Sequence, residues 1–218
     1  MTFLVFIGSE RQSTPPHPPR LGERVARACA VRLEANDADF EFVDPLAINL
    51  PSPFKPHFSY AGGRAPQELE ELAGKIASAQ GYVMVSPEYN HSMSPALAHL
   101  LNHFGSSLFS YKPSAIVTYS AGQWGGARAA VNMRTYLAEL GCLPVSAMVH
   151  VPKAQEVFGE SGNYLEETET ERWDGYIDRT MQQLLWWAEA AARQRAHGTA
   201  EIPAAFTKAP SQRNAPGY

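Results

Sequence analysis

The sequence predicts an α/β sandwich: a five-stranded parallel sheet in the order 2-1-3-4-5, with helices on both faces. Three observations predict it. Short, nearly continuous apolar runs such as Thr2–Ile7 and Gly81–Ser86 read as strands buried on both faces, the mark of a parallel sheet. Segments of helical period alternate with these runs, giving β-α-β-α-β-α-β-α-β-α. Right-handed crossovers then make 2-1-3-4-5 the natural order for five strands.

Taken in order, Thr2–Ile7 (TFLVFI) is the first strand and stops at Gly8. A polar, proline-loaded segment, Ser9–Arg20, leads into a helix from about Leu21 to Ala35, with Leu21, Val25, Ala28, Cys29, Arg32 and Leu33 near helical spacing. Asp39–Asp44 alternates and reads as the second strand. The proline-rich stretch Pro45–Ala65, with its Gly62-Gly63 pair, reads as a loop. Pro66 opens a helix to about Ala79, as suits proline at a first helical position. Gly81–Ser86 is strand three; Pro95–Phe104 is a helix with Ser94 as N-cap. Strand four is Ala115–Tyr119, and a helix over Gly126–Leu140 is closed by Gly141. Pro144–Val149 is strand five, followed by a loop to about Glu167. The last helix, Thr170–Arg195, carries an apolar stripe of Trp173, Tyr176, Ile177, Met181, Leu184, Leu185 and Ala188. Residues 1–195 thus form one domain. His197–Tyr218 has three prolines and no periodicity, so 196–218 is expected to be a flexible tail.

Composition excludes several functions. At 218 residues, with 44% hydrophobic and 18% charged residues, the chain can bury a sizeable core. A net charge of −4 disfavours a general electrostatic grip on nucleic acid or an acidic membrane. No apolar run approaches the roughly 18 residues of a membrane span. The first residues, MTFLVFIGSE, enter a strand directly and lack the marks of a secretion signal. Cys29 and Cys142 form neither a CxxC motif nor a disulfide framework. A cytoplasmic setting is expected.

In a sheet of this order, ligands bind beyond the carboxyl ends of the strands, near the switch point between strands one and three. Three loops leave those ends: Gly8-Ser9-Glu10-Arg11, Pro87-Glu88-Tyr89-Asn90-His91-Ser92 and Ser120-Ala121-Gly122-Gln123-Trp124-Gly125-Gly126. The first offers Ser9, Arg11, Ser13, Thr14 and Arg20 ahead of a helix N-terminus. That suits a phosphate, or it is an ordinary turn with solvated arginines. It has neither GxGxxG nor GK[ST], so the dinucleotide fingerprint and the P-loop are both absent. The third loop has three glycines in seven residues, which lets backbone amides approach a flat ligand, or simply bends.

These motifs resemble the NADPH-dependent FMN reductase family, flavodoxin-like flavoenzymes that include quinone and azo-dye reductases. The resemblance rests on Pro87-Glu88-Tyr89-Asn90-His91-Ser92 followed by Pro95 and Leu97. It rests also on the Gly-Ser-x-Arg first loop (Gly8, Ser9, Arg11) and on Ser120, Gly122, Gly125, Gly126 and Arg128 in the third segment. It covers roughly residues 3–188. The resemblance implies a flavodoxin-like three-layer fold and FMN as cofactor, with NADPH or NADH as hydride donor. A quinone, azo compound, flavin or oxidised metal ion would be the small-molecule electron acceptor in a ping-pong scheme. Ser9 and Arg11 would hold the FMN phosphate. Pro87, Glu88, Tyr89 and Asn90 would meet the isoalloxazine edge and ribityl chain. Ser120, Gly122, Gln123 and Gly125 would frame the other side of the ring. An eight-residue insert, Gln12–Pro19, separates Arg11 from Arg20 and sets the parts of Ser13 and Arg20 apart from the family pattern. Ala98-His99 and Asn102 also depart from it, at positions suited to packing or subunit contact.

Several residues carry two readings. His91 either donates to substrate or nicotinamide or caps the following helix. Trp124 either stacks on a ring or lies at a subunit interface. Glu88 is either a general base or a backbone contact. His99 and His103 share a helix face without a third ligand, so no metal site is expected, and they read as partly exposed interfacial side chains. Of the adjacent Trp186 and Trp187, one is expected in the core and the other on the surface. The resemblance and the residues on these helices imply a homodimer or homotetramer. Other classes compatible with the sequence are a flavodoxin-type electron carrier, for which −4 is a weak docking charge, and a flavin-bound redox regulator.

Overall fold

Alternation within the first strand sorts the protein into layers. Phe3, Val5 and Ile7 face one way, Leu4 and Phe6 the other, and all are buried. The computed structural model describes residues 1–11 and 20–203. Its elements are β1 (Thr2–Ile7), α1 (Leu21–Glu34), β2 (Asp39–Val43), α2 (Gln67–Ser78), β3 (Gly81–Pro87), α3 (Pro95–Asn102), α4 (Ser106–Phe109), β4 (Pro113–Tyr119), α5 (Ala127–Glu139), β5 (Leu143–Val151), α6 (Ala154–Val157) and α7 (Thr170–His197). The strands pair in parallel in the order β2-β1-β3-β4-β5, as expected from the sequence. β3 and β4 are buried along their whole length, which explains their mostly apolar sequences; Ser86, Ser114 and Thr118 are buried with them.

On one face, Val25, Cys29 and Leu33 of α1 and Ile177, Met181 and Leu184 of α7 pack against Phe3, Val5, Val83 and Val117. On the other face, Leu69 and Ile76 of α2, Leu97 and Leu101 of α3 and Met133 and Leu137 of α5 cover Leu4, Phe6, Met84 and Ile116. Each such side chain contributes about 1.5–3 kcal/mol when fully buried. Arg32, at a core-spaced position of α1, pairs instead with Asp174 (3.1 Å) and Asp178 on α7, fastening the two helices together.

β5 lies at the sheet edge, where unpaired backbone groups would invite strand addition. Side chains occupy them: Gln183 Oε1 accepts from Ala147 N–H (2.8 Å), Tyr176 OH from His150 N–H (2.9 Å), and Arg134 donates to Val145 O (2.9 Å). At the far end, Lys112 is buried and donates to Ile76 O and Ala77 O (2.6 Å each), capping the C-terminus of α2. Burial, reinforced by Arg195, lowers the Lys112 pKa to about 8. Both cysteines are buried and unpaired, and burial pushes each thiol up to about 12.

Four expectations need correction. The stretch 45–65 is not a plain loop. It holds two 3₁₀ turns, Pro45–Ala47 and His57–Ser59, the first capped by Asp44, which accepts Leu46 N–H at 3.0 Å. The stretch to Glu167 contains α6. His103 is fully buried rather than partly exposed, because Phe54 from that stretch packs on it, ring centroids 4.6 Å apart and planes tilted by 49°. Neither Trp186 (61% exposed) nor Trp187 (39%) is in the core. The buried stripe of α7 runs Ile177, Thr180, Met181, Leu184, Ala188 and passes both by, so the two indoles meet edge-to-face at 4.7 Å instead. Helix and strand ends otherwise fall within a few residues of expectation; Pro66, for instance, is the residue before α2 rather than its first. Of the expected tail, 204–218 lies outside the described residues, and 198–203 is exposed and without regular structure.

Candidate functional site

The three loops converge where the topology requires. A cleft of about 610 Å³ opens beyond the carboxyl ends of β1, β3 and β4, within the size range of small-molecule sites. Ser9, Arg11, Arg20 and Leu21 line one end; Pro87, Glu88, Tyr89, Tyr119, Ser120 and Ala121 line the rest.

At the first end, α1 begins without a side-chain N-cap; the Tyr119 hydroxyl oxygen accepts the Gly22 N–H of its first turn, and the positive end of the helix dipole lies at the cleft. Arg11 stands exposed beside it with no ion-pair partner among the described residues. Arg20 is different. It is 7% exposed and donates to Ser9 O while pairing with Asp44 at the end of β2. Its charge is therefore spent inside the protein, bracing the turn after β1. Ser9 is buried and hydrogen-bonds Tyr119. Burial, only partly opposed by that bond, raises the Tyr119 pKa and keeps its hydroxyl protonated. Gly22 leaves room for that hydroxyl: a Cβ there would lie 2.6 Å from it. Ser13 lies outside the described residues.

The second loop is a tight reversal. Tyr89 and Ser92 exchange backbone hydrogen bonds at 3.0 Å, and Asn90 and His91 between them both have positive φ (51° and 63°). That is a type I′ turn, whose positive φ values asparagine and histidine adopt more readily than most other residues with a side chain. Both residues are exposed at the turn's tip and do not line the cleft. Below the turn, Ser94 caps α3, accepting Leu97 N–H (3.1 Å) while its hydroxyl donates to Gly8 O, so the first and second loops are tied together.

Glu88 lines the cleft with its carboxylate held by α5. Its Oε2 accepts N–H from Arg128 (3.1 Å) and Ala129 (3.3 Å) in the first turn of α5. Its backbone N–H donates to Tyr119 O at 3.3 Å.

The third loop is folded by Ser120, whose hydroxyl donates to Gly122 O (2.8 Å) and accepts from Gly125 N–H (3.0 Å). Gly125 (φ +60°) and Gly126 (φ +79°) are required here: a Cβ on Gly126 would sit 2.7 Å from Thr118. Thr118 donates to Gly125 O and contacts His150 Nδ1, both at 2.9 Å. Burial, with Arg179 in second place, lowers the His150 pKa, so the imidazole beneath this loop is neutral. Gly122 and Gln123 are exposed at the rim, with open space around Gly122. Trp124 is 62% exposed and lies under the Arg128 guanidinium, 5.5 Å from the ring centroid.

Seven of the expected contact residues therefore line the cleft: Ser9, Arg11, Arg20, Pro87, Glu88, Tyr89 and Ser120. Asn90, Gly122, Gln123, Gly125, His91 and Trp124 frame its rim or fold its loops. Sequence reading missed Leu21, Tyr119 and Ala121, each adjacent in sequence to a residue it chose; the position of Tyr119 as the last residue of a strand pointing at the switch region was the available signal. No group of three or more metal-ligating side chains occurs among the described residues.

The chain is similar to known flavoenzymes. It is 31% identical over 126 residues to an NAD(P)H-dependent FMN reductase of Pseudomonas aeruginosa, covering 56% of this chain and 66% of that protein. Two further curated relatives are matched over 54% and 46% of their own length, so the chain spans about half to two thirds of these relatives. A 2-hydroxy-1,4-benzoquinone reductase of Burkholderia is 26% identical over 185 residues, 82% of this chain and 93% of that one. In fold, the chain is similar to FerB, a flavoenzyme NAD(P)H:(acceptor) oxidoreductase from Paracoccus denitrificans, with a TM-score of 0.65 at 19% identity over 87% of this chain and 98% of that one. The family model for NADPH-dependent FMN reductase matches residues 1–156, which contain the cleft and all three of its loops, and the chain belongs to that family.

Proposed function

We propose that the protein is an FMN-dependent NAD(P)H oxidoreductase that passes electrons to a small-molecule acceptor. One observation carries the proposal. A single cleft joins an anion cradle, made of the uncapped α1 N-terminus, Ser9 and the exposed Arg11, to a slot bounded by Pro87 and Tyr89 on one loop and Ser120 and Ala121 on another. A molecule with one phosphate and a flat ring fits that donor set, and the first loop lacks the GxGxxG turn that cradles a pyrophosphate.

In this reading Arg11 supplies the charge for the phosphate, and the first-turn amides of α1 supply directed donors. Arg20, also in the cleft lining, holds Ser9 in place through its bonds to Ser9 O and Asp44. Tyr89 and Pro87 flank the ring, and the Gly122 side of the third loop leaves backbone free to approach its edge. The redox chemistry is the cofactor's own: hydride acceptance from NAD(P)H and delivery of electrons to a quinone, azo compound, flavin or metal ion in ping-pong order. The protein's part is to bind, orient and exclude water, and no protein nucleophile is needed.

The working form we propose is a homodimer or a dimer of dimers in the cytoplasm. Val131 on α5 (64% exposed), Trp124, and Phe54 and Phe58 beside α3 are large apolar side chains that one chain leaves uncovered. Two buried free thiols suit a reducing compartment. No helix among the described residues is long and apolar enough to cross a membrane. Light scattering is expected to give at least twice 23.9 kDa.

The test of the activity is spectroscopic. The purified or reconstituted protein should show a flavin spectrum that bleaches on anaerobic NADPH addition and recovers with benzoquinone. Chromatography of the released cofactor should give FMN. FAD, or no flavin uptake, refutes the cofactor; a flavin that neither NADPH nor NADH bleaches makes the protein an electron carrier or a redox regulator.

A further inference from the structure

We infer that Glu88 is a positioning residue that locks the second and third loops of the cleft into one body and so sets the gap that receives the flavin ring. The inference rests on the FMN reading above and adds a residue role to it. Glu88 follows β3 directly, and its side chain is 12% exposed. Both N–H groups it accepts belong to α5, which starts where the third loop ends. α5 has no N-cap side chain of its own, because Gly126 stands at that position. The carboxylate from the neighbouring loop takes the place of the missing cap and lies against the positive end of the helix dipole. Arg128 Nη1, 3.7 Å from Glu88 Oε1, adds a cation on the same side.

A second fastening lies one turn further along α5, where Ser92 Oγ donates to Asn132 Oδ1 at 3.0 Å. Glu88 and Ser92 bracket the type I′ turn, so the turn is clamped to α5 at both of its ends. Glu88 also lines the cleft, and its own amide bonds Tyr119 O. One residue therefore joins β4, the turn and α5. Without its carboxylate, two amides of α5 lose their acceptor and the loops on either side of the slot can separate.

Position also separates Glu88 from the phosphate cradle. Ser9 and Arg11 act at the α1 end of the cleft, whereas Glu88 acts where the ring would lie. Loss of Glu88 should weaken riboflavin and FMN alike, while loss of Arg11 should weaken FMN alone. The carboxylate also places negative charge beside the slot. Removing it should raise the reduction potential of bound flavin, since reduction adds electron density there.

The experiment compares Glu88→Ala, Glu88→Gln and wild type. Glutamine keeps an oxygen acceptor for the α5 amides and discards the charge. Apoprotein is titrated with FMN and with riboflavin by fluorescence quenching, amide exchange is read at Arg128 and Ala129, and the potential of the bound flavin is measured. Glu88→Ala is expected to weaken both ligands about tenfold or more, on the scale of one lost charge-assisted contact, and to speed exchange at both amides. Glu88→Gln is expected to bind both ligands within about threefold of wild type and to shift the potential upward. Unchanged binding in Glu88→Ala, a loss confined to FMN, or equal loss in both variants overturns the inference. A wild type that takes neither flavin refutes the cofactor reading instead, and exchange at Arg128 and Ala129 in the apoprotein then decides the loop coupling separately.

Discussion

Replacing Arg20 by alanine should damage the fold more than the phosphate contact, and the reverse should hold for Arg11. Arg20 is 7% exposed and binds two acceptors, Ser9 O and Asp44, from its one guanidinium. Each charge-assisted bond is worth about 1.5–3 kcal/mol when both partners are buried. Asp44 is 27% exposed, so water recovers part of its loss in the variant. The net cost is then about 2–4 kcal/mol, below the sum of two full bonds. At about 2–4 °C per kcal/mol for a domain of this size, the melting temperature of apoprotein should fall by about 5–15 °C. Arg11 is exposed and unpaired among the described residues, so Arg11→Ala should leave that temperature within about 1–2 °C, an effect of no more than ~0.5 kcal/mol. Its cost should appear as FMN affinity lowered about 10- to 100-fold, with riboflavin affinity unchanged. The assay is a thermal melt of apoprotein paired with flavin titration for both variants. A Arg20→Ala protein with an unaltered melt and a selective loss of FMN would show that Arg20 leaves Asp44 to hold the phosphate, and the division of labour between the two arginines would be wrong.

Three further outcomes follow from buried or clamped groups. Burial, with His99 second, lowers the His103 pKa, so below about pH 6.5 the unfolded chain takes up a proton that the folded one refuses. Stability is therefore expected to fall from pH 7 to 5, and His103→Leu, measured by urea unfolding, should flatten that slope; an unchanged slope refutes the assignment. Lys112, lowered to about 8, works in the same direction at higher pH: its burial costs most below pH 8, and the cost is relieved as pH rises toward 10.5. Lys112→Met should lack that rise when urea unfolding is followed from pH 8 to 10.5, and a variant that keeps it refutes the assignment. Arg195 ties the end of α7 to Tyr111 O (3.2 Å) and Gln80 Oε1 (2.7 Å). Truncation after Pro203 should leave melting temperature and FMN binding unchanged, whereas truncation after Gln194 should lower the melt; a large loss from the shorter deletion would give 204–218 a part in the folded protein.

What could be read from the sequence divides along a physical line. β1, β3 and β4 were legible because strands buried on both faces are mostly apolar, with Ser86, Ser114 and Thr118 the buried polar exceptions, and the sheet order follows from crossover handedness once the strands are found. The three loops were legible because the topology brings the carboxyl ends of β1, β3 and β4 together whatever side chains they carry. Long-range commitments of polar side chains were not legible. Arg20 and Arg11 look alike in a polar loop, yet one is consumed by Asp44, 24 residues on, and the other is not. Glu88 looks like a base or a bystander until α5, 40 residues on, is seen to begin with a glycine that cannot cap it. His103 shares helical spacing with His99, but Phe54 arrives from a proline-rich stretch that has no period to reveal where it packs. In each case the deciding partner lies far along the chain: Asp44 and Phe54 come from connections, and the amides that claim Glu88 come from the first turn of a helix. Periodicity reports which face of an element is buried; it carries no information about which distant hydrogen-bonding group will claim a given charge. That information bears most directly on the cleft, because loops supply its walls and polar side chains hold those loops in place.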